Sequence, residues 1–209
     1  MADRLEQIFA RQLELTRRFQ QIEKTNGCLI DDGLPVNLES ATGQEQIRAI
    51  AWRIVEEIFE LERARGIEEE RAEAIDVLHF LVEMALTAGV RPEHVYTKEP
   101  RDRIPGDMLD QLMHFARKGA TNPGPTKCYQ GMVQALASGV YELKYRSWKT
   151  KPKPTNVRLF EMYLIECFGW FSDLAASLGM TAEDIYERYL GKNDENHHRI
   201  DSTKETANG

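Results

Sequence analysis

The sequence predicts an all-α protein, an antiparallel helical bundle built from a duplicated helical hairpin. Three observations carry that expectation. Apolar residues recur at close to the ~3.6-residue period of a helix, and no convincing run alternates at period two. Gly and Pro gather at Gly27 to Pro35, Gly89 to Pro105 and Gly119 to Pro125, and so divide long periodic stretches. The third is internal likeness. Glu56-Glu57-Ile58-Phe59-Glu60-Leu61 matches Ser138-Gly139-Val140-Tyr141-Glu142-Leu143, and Ala88-Gly89-Val90 through Tyr96 matches Leu178-Gly179-Met180 through Tyr186. The second spacing is eight residues longer, and the surplus falls in a loop around Ser147 to Pro152, where insertions belong.

Taken in order, Phe9, Leu13 and Phe19 mark a first amphipathic helix that fades near Asn26 and Gly27. Ser40 or Thr42 can cap the next, Thr42 having Glu45 three residues on as a capping box. The second helix runs from about Gln44 to Ala64 with Ile47, Ile50, Ala51, Ile54, Val55, Ile58 and Leu61 on one face. A third, from near Glu68 to Thr87, is apolar almost all round, which predicts a central position; Gly89 stops it and Pro92 opens a short helix. After a Pro-rich crossover come a helix at Met132 to Tyr145, a basic loop at Arg146 to Lys153, and a long helix from about Asn156 to Leu178. A last helix opens near Thr181 and runs to about Leu190, and residues 202–209 read as a flexible tail. Each hairpin has an apolar face it cannot bury alone, so the expectation is one domain over 1–209, with repeats at about 44–100 and 128–200.

Composition narrows the function. The chain has 209 residues, 42% hydrophobic and 29% charged, with a net charge of -7. An acidic chain has no general pull on duplex nucleic acid, whose binding needs clustered cations. No apolar run approaches the ~20 residues of a membrane span, and Met1 to Gln12 mixes charge with apolar groups, unlike a signal peptide; the expected place is the cytoplasm. Cys28, Cys128 and Cys167 are odd in number and widely spaced, which fits reduced thiols and neither a disulfide framework nor a zinc ribbon.

The chemistry lies in the acids. Glu56, Glu57 and Glu60 stand on the second helix, with Glu57 and Glu60 about 60° apart at the border of its apolar face. On the third, Glu69, Glu73, Asp76, His79 and Glu83 follow at steps of four, three, three and four, a single polar stripe on an apolar rod. Carboxylates inside a bundle repel one another and lose hydration unless a cation compensates them. The pairs Glu57 with Glu60 and Glu73 with Asp76, facing across adjacent helices, would supply hard oxygen donors suited to Mg²⁺ or Mn²⁺ and not to zinc. Glu62, Glu68, Glu69 and Glu70 read as an ordinary solvated face. At the far end Lys192, Asn193, Asn196 and Arg199 offer charged and amide donors for phosphate oxygens, although cations also gather at helix C-termini for dipole reasons alone.

The run Val55 to Leu61 followed by Glu73 to Phe80 resembles the EExxE and ExxD signature of the all-α, MazG-like nucleoside triphosphate pyrophosphatases. Ile185 to Asn193, then Asn196 and Arg199, resembles the tail of the dimeric dUTP pyrophosphatases and their phage dCTP/dUTP relatives. The resemblance implies hydrolysis of a deoxyribonucleoside triphosphate to monophosphate and pyrophosphate, dUTP first and dCTP second. It implies that Glu57, Glu60, Glu73 and Asp76 hold two or more Mg²⁺, with Mn²⁺ able to substitute. Glu56 or Glu57 would orient the attacking water, and Lys192, Asn193, Asn196 and Arg199 would bind phosphate. Gln12, Thr16 and His79 would face base and sugar, and the enzyme would be a homodimer. In the second repeat the acids become Ser138, Gly139 and Tyr163, with Glu142 and Glu166 left, so that half is expected to be scaffold.

The chain also departs from the pattern. The link between the acidic helices is the short Arg63 to Ile67, Trp148-Lys149 sits in the second repeat, Thr16 replaces an amide, and Ile200-Asp201-Ser202 follows Arg199 where the family has aromatics. Two alternatives stand beside this reading. Asp76-Val77-Leu78-His79 echoes the acid-x-x-His of di-iron bundles, although the repeat equivalent Glu166 to Gly169 has no histidine. The acidic stripe would also serve a non-catalytic helical interaction module.

Overall fold

A computed structural model describes residues 2–27, 33–95, 106–118, 123–145 and 154–207, with side chains for all of these except 115–118 and 203–207. The described residues form seven α-helices and no strand: α1 Arg4–Thr25, α2 Ala41–Arg63, α3 Ile67–Ala88, α4 Met108–Lys118, α5 Gly124–Glu142, α6 Val157–Ser177 and α7 Ala182–Ala207. Pro92–His94 is one turn of 3-10 helix. No described helix is long and apolar enough to cross a membrane.

The helix α3 is central as its composition predicts, packed against α1, α2, α6 and α7. Ala74, Ile75, Val77, Leu78, Leu81, Val82, Met84 and Ala85 are all buried in one core with Ile47, Ile54 and Leu61 of α2 and Phe168, Phe171 and Leu174 of α6. The pairs α2–α3 and α5–α6 carry the internal matches: the first match lies at the C-terminal ends of α2 and α5, and the second begins where α3 and α6 end, at Ala88 and just after Ser177. Their ends match in detail. Val90 N–H donates to the Ala85 carbonyl at 2.8 Å and Met180 N–H to the Ala175 carbonyl at 2.9 Å, each just beyond a glycine with positive φ, Gly89 at 79° and Gly179 at 69°.

Several boundaries differ from the sequence expectation. Ser40, not Thr42, is the N-cap of α2, its hydroxyl accepting from Gly43 N–H. Phe19 is 40% exposed; Gln12, Thr16 and Gln20 take the inward positions on α1 instead. The helix expected from Met132 begins at Gly124, because Pro125 in its first turn lacks an N–H that would have no partner there anyway. The helix α4, not singled out from the sequence, buries Leu109, Leu112 and Met113. Arg4 anchors it through Asp107 at 2.8 Å and Asp110 at 2.6 Å. The basic loop and Cys28 lie outside the described residues; Cys128 and Cys167 are free and buried.

The largest correction is α7. It does not stop near Leu190, and 202–207 continue it as helix. The reason is α1, which offers α7 a partner repeatedly along its length. Arg4 pairs with Glu183 at 2.6 Å, Gln7 accepts from the Tyr186 hydroxyl at 2.7 Å, Arg11 pairs with Asp194, and Arg18 meets His197 at 2.6 Å and Asp201. Tertiary pairing of this kind sustains helix where local propensity alone would not.

Candidate active site

Four helices supply one cavity of about 510 Å³. From α2 come Glu57 and Glu60, from α3 Glu73, Asp76, His79 and Glu83, from α7 Lys192, Asn196 and Arg199, and from α1 Gln12. Carboxylate oxygens of Glu57, Glu60 and Glu73 lie within 4.8 Å of one another. The fourth expected acid, Asp76, accepts from Lys192 Nζ at 2.6 Å. Lys192 therefore stands in the middle of the expected metal set, and not in a turn beyond the last helix.

Burial and mutual repulsion shape the charge. Burial first, then Asp76, Glu60 and Glu73, push the Glu57 carboxyl up to about 7, with Lys192 opposing. Glu73 is raised by burial, Asp76 and Glu60. Asp76 is raised by burial against the lowering pull of Lys192 and Arg199. A cluster of this kind, whose members resist ionising together, is a site that a cation completes. Its donors are all hard oxygens on two rigid helices, which fits a divalent cation of the Mg²⁺ type.

His79 lines the same cavity. Its ring stacks on Tyr189 with centroids 4.0 Å apart and planes 6° apart. The Tyr189 hydroxyl, fully buried, donates to Gln12 Oε1 at 2.6 Å, which fixes the orientation of that amide. His79 Nδ1 lies 2.9 Å from the same oxygen and so carries the proton. Burial, then Lys192, push the imidazole down to about 3, so it is neutral and offers Nε2, buried and unpartnered, as an acceptor.

The remaining expected residues are spread. Thr16 is 3.5 Å from Gln12 Nε2 and lines a neighbouring cavity. Asn193 is fully buried outside the cavity lining, its amide donating to the Arg11 carbonyl at 3.5 Å, so it ties α7 to α1. Glu56 is exposed and lines neither cavity. Sequence reasoning passed over Tyr189, Glu23 and Arg53. Arg53 pairs with Glu23 at 3.2 Å and Glu83 at 3.8 Å, and Glu83 itself is pushed up to about 7 by burial, Arg53 opposing and Glu23 reinforcing. Glu83 was legible as the end of the acidic stripe; Arg53 carried no signal beyond its place beside the apolar face of α2.

Acids from two helices face basic and amide groups from a third inside an all-α bundle, an arrangement that suits a polyanion bound together with a cation. The sequence model of a family described as dUTPase matches residues 60–203, more than half of the chain, and the protein belongs to that family. It is a nucleoside triphosphate pyrophosphohydrolase. The matched segment includes Glu60, Glu73, Asp76, His79 and the α7 residues, while Gln12, Thr16, Glu56 and Glu57 precede it. No curated protein and no solved structure matches the chain.

Proposed function

We propose that the protein hydrolyses a deoxyribonucleoside triphosphate, dUTP before dCTP, to the monophosphate and pyrophosphate with Mg²⁺, Mn²⁺ being able to substitute. The observation that carries this reading is the convergence of Glu57, Glu60 and Glu73 with Lys192 and Arg199 on one cavity. Glu57, Glu60, Glu73 and Asp76 would hold the cation, two or more ions in all. When bound, it supplies Lewis-acid stabilisation of charge on the phosphate oxygens. Lys192 and Arg199 neutralise the phosphate chain and Asn196 adds an amide donor. Asp76 is freed for its ligand role as Lys192 turns from it to phosphate. Glu57 takes the water-orienting role, because Glu56 stands in solvent outside the cavity. His79 accepts one hydrogen bond from the nucleoside through Nε2, with Gln12 and Tyr189 holding the ring.

We also infer one site per chain, in a single domain whose second hairpin is scaffold, and a cytoplasmic homodimer that takes free nucleotide and no duplex nucleic acid. Trp52 and Phe59, 63% and 52% exposed on α2, support a protein contact there. The di-iron alternative loses its imidazole ligand: among the described residues the grouped ligand atoms belong to Glu57, Glu60 and Glu73, without His79.

A panel of dNTPs and NTPs with Mg²⁺, products resolved, tests the reading. It expects pyrophosphate from a pyrimidine deoxynucleotide and none from the Asp76→Asn variant. Diphosphate plus phosphate as products, or full activity in that variant, would contradict it.

A further inference from the structure

The Lys192 ammonium lies 2.6 Å from Asp76 Oδ2, with the two side chains only 24% and 15% exposed. A charge-assisted bond shielded to this degree is held more firmly than a surface pair. Its influence reaches the other acids as well. Lys192 lowers the Glu57 and Glu73 carboxyls against the burial that raises them. One tethered positive charge therefore does in part for the cluster what a divalent cation would do in full.

The two cations compete for the same oxygen. Asp76 can offer Oδ2 to the ammonium or to a metal ion, and a divalent ion on that oxygen repels the ammonium and has to displace it. The backbone cannot carry Lys192 away, because its neighbours Tyr189 and Asn193 on α7 are fully buried and Asn193 is bonded to the Arg11 carbonyl. Only the flexible four-carbon stem can swing. The ammonium then needs another anion. Asn196 and Arg199 line the same cavity about one and two turns further along α7, so a polyphosphate held between them and the cluster meets the face from which Lys192 projects.

We propose that Lys192 is a tethered cation that blocks the metal site until a triphosphate draws it away, so that metal and nucleotide each bind with the other's help and the divalent ion alone loads weakly. The proposal rests on the reading that Glu57, Glu60, Glu73 and Asp76 hold the ion, and goes beyond it from which groups bind to how their binding is coupled. Such coupling is reciprocal: whatever factor the nucleotide adds to metal affinity, the metal adds to nucleotide affinity.

Isothermal titration calorimetry with Mn²⁺ on the full chain tests this in wild type, Lys192→Met, Lys192→Gln and Lys192→Arg, with and without a dUTP analogue whose α,β-bridging oxygen is replaced by an imido group. The buffer is held at a pH of about 8.5, above the raised Glu57 carboxyl, so that loss of the lysine charge does not reprotonate the acids. Without nucleotide, Lys192→Met and Lys192→Gln are expected to bind Mn²⁺ about tenfold more tightly than wild type, while Lys192→Arg, which keeps the charge, stays close to it. The analogue should tighten Mn²⁺ binding about tenfold more in wild type than in either neutral variant. Equal or weaker Mn²⁺ binding by both neutral variants would overturn the proposal, and loss of binding in Glu57→Gln/Glu73→Gln in the same series would leave the metal reading standing. Undiminished Mn²⁺ binding in that double variant would contradict the metal reading itself, and the proposal with it.

Discussion

Where the first hairpin brings Glu57 and Glu73 within ligand distance of each other, the second has Gly139 and Tyr163 at the matching positions, so close that a Cβ on Gly139 would lie 3.3 Å from that of Tyr163. The acids that persist there are neutralised or solvated locally: Glu142 pairs with Lys144 at 3.0 Å, and Glu166 is exposed, accepting from Trp170 Nε1 at 3.4 Å. The partner of Asp76, in contrast, is Lys192 of a distant helix. The two hairpins differ in helix length, 23 and 22 residues against 19 and 21, yet keep the same glycine stop and the same closing hydrogen bond. The comparison teaches that the helical frame is set by apolar faces and caps, and that chemistry is added by leaving like charges where packing would otherwise close.

The sharpest break between the halves should be in turnover. Glu57→Gln and Glu73→Gln should each lower dNTP hydrolysis about a thousandfold or more, as removal of groups that act as one unit does, whereas Glu142→Gln and Glu166→Gln should stay within about twofold of wild type. Steady-state assays on purified variants check this.

Stability should show the reverse order. A Cβ on Gly131 would meet the Trp170 indole at 2.3 Å, so Gly131→Ala should destabilise the fold by about 1–3 kcal/mol in urea titrations. Glu57→Gln removes repulsion and should leave the urea midpoint unchanged or higher.

The pH dependence follows from Glu57 and Glu83, both raised from 4.5 to about 7 in the fold. At these two carboxyls the folded chain holds protons that the open chain has lost, which outweighs the one proton that His79, neutral in the fold, takes up on opening, so metal-free stability declines as pH rises from about 4.5 to about 7. Thermal melts in a chelator should show the decline; Glu57→Gln should reduce it, and Mg²⁺ should counter it. The smallest effect concerns caps. The N-cap of α6 is Asn156, whose side chain accepts from Leu159 N–H at 3.1 Å, while that of α3 is Gly66, which offers no side-chain cap. Asn156→Ala should cost about 1 kcal/mol, seen as a shifted urea midpoint.

Much of this was legible in the sequence because it is periodic. A helix apolar on nearly every face has to be central, and an acidic stripe on it has to meet something. The Asp76–Lys192 bond was not legible, since its partners are 116 residues apart and only the run of α1–α7 pairs carries α7 far enough to bring them together. The last helix read as ending near Leu190, yet nothing crowds Gly191 and the helix runs through it. Gln20 and Arg53 were silent for a different reason. Polar residues beside an apolar face look solvated until a neighbouring helix closes over them.

The most direct measurement is a Mn²⁺ titration followed by electron paramagnetic resonance on wild type, Glu57→Gln/Glu73→Gln and Glu142→Gln/Glu166→Gln. The proposal that the first hairpin seats the cation predicts binding in wild type and in the second double variant, and its loss in the first. Equal binding by all three proteins, or loss only when the second hairpin is changed, would contradict that account.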